Sequence, residues 1–274
     1  MTPPTLPAAS AWDDDYTPRA YEAFCRRHRR YRTANATLVA HAALEPGQRV
    51  LDVAAGTGRT AEAALVCLGD RGSVSCVEPS IAMRARGAAR LAGRGITWLE
   101  VIPSDGTRFE RVLCGAAIWQ IGRLETAIAT LSALVAPGGA LVFNIPAQYV
   151  QEPDPPGGGR DPWLVELPTL VDRSGTTATP DWAPTDFSSL PPSRDDILRY
   201  LVRAGLRPRE WEFEVRLSQA AYRDWLKIPP VSEGLLRGLP PVERARRLDE
   251  AFGRSDPRSW RRERWLGWTA WRDR

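Results

Sequence analysis

Histidine is scarce in this 274-residue chain, with two in all, His28 and His41. That scarcity excludes a histidine-rich metal cage or a relay of imidazole bases. The four cysteines, Cys25, Cys67, Cys76 and Cys114, have no Cys-x-x-Cys spacing, which argues against a zinc site and a disulfide scaffold. No metal is expected. No apolar run approaches membrane-spanning length. The first ten residues are rich in proline and alanine, without the basic start and apolar centre of a signal peptide. A cytoplasmic location, with no membrane partner, is the expectation. Neither sign of charge dominates: 37 basic against 33 acidic residues leave a net charge of +4. Arginine supplies nearly all of the positive charge. The late group Arg254, Arg258, Arg261, Arg262 and Arg264, interleaved with Trp260 and Trp265, reads as a solvated strand at the sheet edge in preference to a nucleic-acid surface.

What is present is concentrated in one stretch. Val50-Leu51-Asp52-Val53 reads as a buried strand ending beside an acid, and Ala54-Ala55-Gly56-Thr57-Gly58-Arg59 as a tight turn into a helix. Glycines at 56 and 58 let backbone approach a ligand where a Cβ would collide. The amides opening the next helix favour a carboxylate or phosphate. A second apolar strand, Val74-Ser75-Cys76-Val77, ends at Glu78, which could take both hydroxyls of a ribose. A nucleoside bearing an anionic group fits this pair. A dinucleotide site would show Gly-x-Gly-x-x-Gly directly after the strand; here Asp52 would repel a pyrophosphate and suit an ammonium group.

The order Asp-x-Ala-Ala-Gly-Thr-Gly resembles motif I of the class I S-adenosylmethionine-dependent methyltransferases. Four further segments resemble that family in order: Glu78-Pro79-Ser80 with Met83, Ser104-Asp105-Gly106, Val112 to Trp119, and Leu134 to Phe143 with its Pro137-Gly138-Gly139 turn. The resemblance covers roughly residues 46–146. It implies a Rossmann-like α/β sheet of seven strands with helices on both faces, an N-terminal helical cover, and lid insertions after strands 5 and 6. It implies S-adenosylmethionine as cofactor and S-adenosylhomocysteine as product. Asp52 would order the glycine loop and approach the ammonium group; Ala54, Ala55, Gly56, Thr57 and Gly58 would supply backbone. Ala54 stands where glycine is commoner. Glu78 and Pro79 would hold the ribose, Met83 would pack near the adenine, and Asp105, flanked by Ser104 and Gly106, would bond its amine. Tyr21 and Cys114 complete the expected cofactor contacts. Trp119 and Gln120 lie where the family faces the methyl group, and many relatives carry histidine at the first of these. Trp119 and Gln120 are therefore expected to position substrate. His28 is the remaining candidate base, although a structural role is favoured for it, as for His41.

The expected organisation is a helical cover over 1–44, a cofactor-binding core over 45–146, an irregular lid over 147–192, and the close of the sheet over 193–274. Helices are expected at Tyr16–Leu44 (one or two), 59–69, Ile81–Ala92, Glu125–Val135 and Asp195–Ala204. Strands are expected at Ile96–Val101, 112–118, Ala140–Ile145, Arg209–Leu217 and Trp260–Trp271, and helical insertions over 218–252 broken at Pro229-Pro230 and Pro240-Pro241. Eight of eleven tryptophans follow residue 150. They read either as packing for the insertions or as an aromatic lid, with Trp163 and Trp182 the better lid candidates. The functional expectation is methyl transfer to an O, N or C atom of a small aromatic or polyketide-like metabolite, in a monomer or homodimer. A composition rich in Ala, Arg, Gly and Pro fits a GC-rich bacterial genome and so bacterial secondary metabolism. The alternatives are a non-methylating reaction on the same fold, such as cyclisation, elimination or a pericyclic step, and a non-catalytic cofactor-binding partner.

Overall fold

The computed structural model describes residues 12–151, 163–164, 191–233, 235–236, 238–254 and 260–274. Seven strands form one sheet in the order β3-β2-β1-β4-β5-β7-β6. They are β1 (Arg49–Val53), β2 (Ser73–Val77), β3 (Thr97–Leu99), β4 (Phe109–Gly115), β5 (Val135–Pro146), β6 (Arg207–Ser218) and β7 (Trp260–Trp271). The first five run parallel, and β7 lies antiparallel between β5 and β6. Val50, Leu51, Val53, Val112 and Leu113 have no exposure, as a parallel sheet covered on both faces demands.

The helices are α1 (Tyr16–Arg27), α2 (Arg30–Ala42), α3 (Arg59–Leu68), α4 (Ile81–Arg90), α5 (Leu124–Ala133), α6 (Arg194–Arg203), α7 (Gln219–Leu226), α8 (Pro229–Ser232) and α9 (Pro241–Gly253). Helices α5 and α6 bury Ile128, Leu131, Ile197 and Leu201 against one face of the sheet. Helices α2 and α3 bury Leu38, Val39, Ala61 and Leu68 against the other. A separate apolar cluster joins Phe24 of α1 to Tyr222, Trp225, Leu248 and Phe252 of the helical insertion. That insertion with α1 forms a cap at the carboxyl end of the parallel strands.

Several boundaries differ from expectation for local reasons. Strand β4 starts at Phe109, earlier than 112, because Phe109 pairs with Val135 of β5, and the Arg111 guanidinium donates to the carbonyls of Ala42 and Ala43 at 2.6 and 3.2 Å. Strand β5 starts at Val135 and carries a register shift opposite Phe109–Arg111; a Cβ at Gly139 would lie 2.8 Å from the Glu110 carbonyl oxygen. Strand β3 is only three residues long. The proline pairs do not merely interrupt the insertion: Pro229 and Pro241 open α8 and α9, where a fixed φ and a missing N–H cost nothing. In β7, a Cβ at Gly267 would meet the Trp211 ring at 2.3 Å. Glycine there lets the indole lie on the strand, with His41 stacked on it at 4.1 Å. His41 is thus in a packing role, as expected. Trp163 is fully buried in the cap cluster, its indole N–H donating to Gln219 Oε1 at 2.9 Å; it packs the insertion. Trp182 and most of the expected lid lie outside the described residues.

Candidate active site

The turn between β1 and α3 needs left-handed backbone at three places: Ala54 at φ 55°, Gly56 at 56° and Gly58 at 77°. A Cβ at Gly56 would stand 3.3 Å from Met83 Cε, and one at Gly58 would stand 2.7 Å from Leu91 Cδ1. Ala54 adopts the same region with a Cβ, at a strain of about 1 kcal/mol. Backbone bonds from Ala55 to Val77 (3.0 Å) and from Glu78 to Leu99 (2.9 Å) tie the tips of β1, β2 and β3 together. The amides of Arg59 and Thr60 in the first turn of α3 have no intrahelical acceptor and are suited to an anionic group.

Two buried carboxylates flank this turn. Glu78 accepts from the Gly56 amide at 2.7 Å and from the Ser80 amide at 2.9 Å. Burial raises its pKa above the ordinary value, against the pull of those bonds. Asp52 accepts from the Ala61 amide at 3.1 Å through one oxygen. Its other oxygen, Oδ1, is buried without a partner among the described residues. Burial, reinforced by Glu78 and opposed by the Ala61 bond, pushes the Asp52 carboxyl up to about 8. An orphaned buried carboxylate oxygen is costly and is what a cationic ligand would satisfy. Arg84 clamps the Glu78-Pro79 turn through both carbonyls and pairs with Glu100 at 3.2 Å.

The cap side adds groups that carry no motif. Glu22 of α1 accepts from the Thr57 hydroxyl and the Arg59 guanidinium. Trp12 and Asp13 hold the Ser80 hydroxyl at 2.9 and 3.1 Å, and Asp13 also caps α4 at the Ala82 amide. Tyr21 lies between Trp12 and Tyr31, with ring centroids 6.2 and 5.3 Å apart, and burial raises its pKa well above normal.

Beyond β4, the left-handed Ala116 (φ 55°) is fixed by the buried Asn144, which accepts from its amide at 2.8 Å and donates to the Ala34 carbonyl at 3.1 Å. A single 3-10 turn, Ile118–Gln120, follows. Trp119 stacks on Tyr149 from the end of β5 at 4.7 Å, while Gln120 is exposed. Burial pushes the Tyr149 hydroxyl up to about 12.

His28, named as the remaining candidate base with a structural role favoured, has its Nε2 on Asp224 of α7 at 2.9 Å and its ring packed on Phe24 at 5.0 Å. Two expectations are corrected. Ser104, Asp105 and Gly106 are exposed on the turn into β4, and the Asp105 carboxylate accepts from its own turn, at the Thr107 amide (3.0 Å). Cys114 is a core residue of β4, its thiol held above its ordinary pKa by burial and by Asp52. The other cofactor candidates, Asp52, Ala54 to Gly58, Glu78, Pro79 and Met83, are brought together. Glu22, Arg84, Asn144 and Tyr149 were missed, since each is a single residue on an ordinary helix, strand or loop. Only the aromatic spacing of α1 hints at any of them.

Solved structures share this fold. A methyltransferase from Bacillus halodurans superposes with a TM-score of 0.57 over 88% of this chain and 100% of its own, at 17% identity. The fold is that of the class I methyltransferases. Phosphoethanolamine N-methyltransferase 2 of Haemonchus contortus, in complex with phosphomonomethylethanolamine and S-adenosylhomocysteine, shares this methyltransferase fold (TM-score 0.58, 14% identity, 97% of this chain and 59% of that one). So does the [4+2]-cyclase SpnF (TM-score 0.53, 18% identity, 87% and 79%). In sequence, the chain is 30% identical over 108 residues to the ubiquinone/menaquinone biosynthesis C-methyltransferase UbiE of Coxiella burnetii. A UbiE of Cupriavidus taiwanensis is 31% identical over 110 residues. The matches span 43% and 45% of those relatives and 36% and 38% of this chain. No protein-family model matches. Among the described residues, no cluster of three or more His, Cys, Asp or Glu could hold a metal ion, and no helix is long and apolar enough to cross a membrane.

Proposed function

We propose that the protein is an S-adenosylmethionine-dependent methyltransferase that methylates an O, N or C atom of a small aromatic or polyketide-like metabolite. The observation that carries this reading is the buried Asp52 Oδ1, without a partner among the described residues, beside Glu78 and the glycine turn. A carboxylate oxygen without a donor, next to free amides at a helix start, fits a ligand carrying both an ammonium and a carboxylate. Glu78 retains lone pairs for ribose hydroxyls, and Met83 supplies an apolar wall. S-adenosylmethionine, when bound, supplies an electrophilic methyl group on a sulfonium, leaving S-adenosylhomocysteine.

The chain's own part in the reaction is alignment. Trp119 and Tyr149 form an aromatic wall at the ends of β4 and β5, and Gln120 offers an exposed amide beside it. The Tyr149 hydroxyl stays protonated at neutral pH and can donate to an acceptor oxygen. Three further buried carboxylates, two in the cap and one on β7, are each paired with an arginine: Glu22 with Arg59, Asp224 with Arg27, and Glu263 with Arg30. Their oxygens are taken up by these donors, which favours an acceptor that is already nucleophilic, such as a phenolate, an enol carbon or an amine. Holding such an acceptor in line can supply about 7–11 kcal/mol.

Calorimetric titration with S-adenosylmethionine and S-adenosylhomocysteine tests the reading. The wild type is expected to bind both in the micromolar range, and Glu78→Ala to weaken both by about a hundredfold, the worth of two ribose hydrogen bonds. Unchanged affinity in the variant would refute the ribose assignment. A non-methylating reaction is the second reading, supported by the fold shared with the cyclase. Stoichiometric S-adenosylhomocysteine formation on turnover separates the two.

A further inference from the structure

Glu22 sits on α1, a helix outside every recognisable cofactor motif, and yet its carboxylate is 2% exposed and directed at the glycine turn. It accepts from the Thr57 hydroxyl, itself fully buried, and from two nitrogens of Arg59. The opposite side of residue 57 is held from α4: Arg90 donates to the Thr57 carbonyl through Nε at 3.1 Å and Nη2 at 2.9 Å. Glu62 closes the ring, pairing with Arg90 at 2.7 Å and Arg59 at 3.5 Å. Residue 57 is therefore gripped at its side chain from the cap and at its carbonyl from the core. That grip sets the tilt of the peptide between Thr57 and Gly58 and so the direction of the amides that open α3.

A leucine at position 22 would attach α1 to the core without the desolvation cost of a buried carboxylate. The charged ring does something packing cannot: it orients backbone donors. We propose that Glu22 is a positioning residue for the amino-acid end of the cofactor, holding the Thr57 turn and the Arg59 side chain in the geometry that receives the cofactor's carboxylate. This rests on the cofactor reading above and adds that the cap helix is part of the cofactor site. Trp12 and Asp13, bonded to Ser80 on the ribose side, fasten the segment before α1 in the same way, so the helix is secured over both loops.

The test compares two ligands that share a nucleoside: S-adenosylhomocysteine and 5′-methylthioadenosine, which lacks the amino-acid carboxylate and ammonium. In Glu22→Gln, affinity for S-adenosylhomocysteine should fall about tenfold, the worth of one hydrogen bond to a charged group. Affinity for 5′-methylthioadenosine should hold. Thr57→Val removes the hydroxyl while leaving Glu22 paired with Arg59. It should show the same split, smaller in size, and supplies the answer should Glu22→Gln fold poorly. Glu78→Ala should weaken both ligands together. An equal loss of both ligands in Glu22→Gln and Thr57→Val would reduce the ring to a structural tie and overturn the proposal, as would no loss at all. A wild type that binds neither ligand would overturn the cofactor reading, and this proposal with it.

Discussion

The strand tips around the glycine turn and the region where the cap meets β7 treat buried charge in opposite ways. At the tips of β1 and β2, Asp52 and Glu78 are satisfied by backbone amides alone, and one Asp52 oxygen by nothing among the described residues. Where the cap meets α2 and β7, buried carboxylates are closed off by arginine. Glu263 accepts from Arg30 Nε and Nη2 at 2.8 and 2.7 Å and from the Trp265 indole at 2.8 Å, with the guanidinium 4.1 Å from the Trp225 ring. Burial works against the Arg30 charge, and the Glu263 carboxylate outweighs it, holding the guanidinium pKa above its ordinary value. The contrast teaches where a cationic ligand belongs. On the sheet side, an acid with one oxygen lacking a donor among the described residues awaits a cation that would draw off its proton; the carboxylates paired with arginine are already answered.

The contrast can be broken most forcefully at Arg30. Removing one partner of a buried pair costs about 3–5 kcal/mol, so Arg30→Met should lose that much stability in denaturant unfolding. A double replacement, Arg30→Met with Glu263→Leu, should recover most of it. A loss under about 1 kcal/mol in the single variant would mean the cap does not depend on its closed pairs.

Asp52 gives a smaller effect of opposite sense. Its folded pKa of about 8 lies above its ordinary 3.8. Between those values the folded protein keeps a proton that the unfolded chain has lost, so stability falls as pH rises through the window. A cation beside the carboxyl lowers its pKa, so cofactor binding at neutral pH should expel a proton. Calorimetry in buffers of differing ionisation heat should show that release in the wild type and none in Asp52→Asn. The variant should also lose the decline in stability. Equal proton release in both would place the titrating group elsewhere. Smallest is Ala54→Gly, which removes left-handed strain on the ligand side and should raise stability by up to about 1 kcal/mol. Thermal unfolding that shows a loss would mean the alanine methyl packs usefully.

The parallel half of the sheet was legible because its strands are apolar on both faces and its turns need particular residues: Gly56, Gly58 and the Pro137-Gly138-Gly139 run announce themselves. The cap was not. His28 shares the aromatic spacing of α1 with Tyr21, Phe24 and Tyr31, and spacing cannot reveal that its ring nitrogen meets Asp224, 196 residues away. Asp105 fits a motif by order along the chain, yet β3 ends at Leu99 and leaves it on an exposed turn. Glu22, Asn144 and Tyr149 act through partners distant in sequence, and such pairs have no local signature. Trp119 and Gln120 follow a recognisable motif; Tyr149, which stacks on Trp119, follows a strand whose end is set by pairing with β7.

The placement of β7 between β5 and β6 also governs how the sheet can assemble. Strand β6 pairs with β7 alone, from Arg207 opposite Trp271 to Ser218 opposite Trp260. As the chain emerges, β6 precedes its sheet partner, and β5 presents the apolar edge Ala140 to Ile145 with nothing beside it. Completion of the sheet is thus a late, long-range event, slow in proportion to its contact order. The bare edge of β5 is where two half-made chains would join.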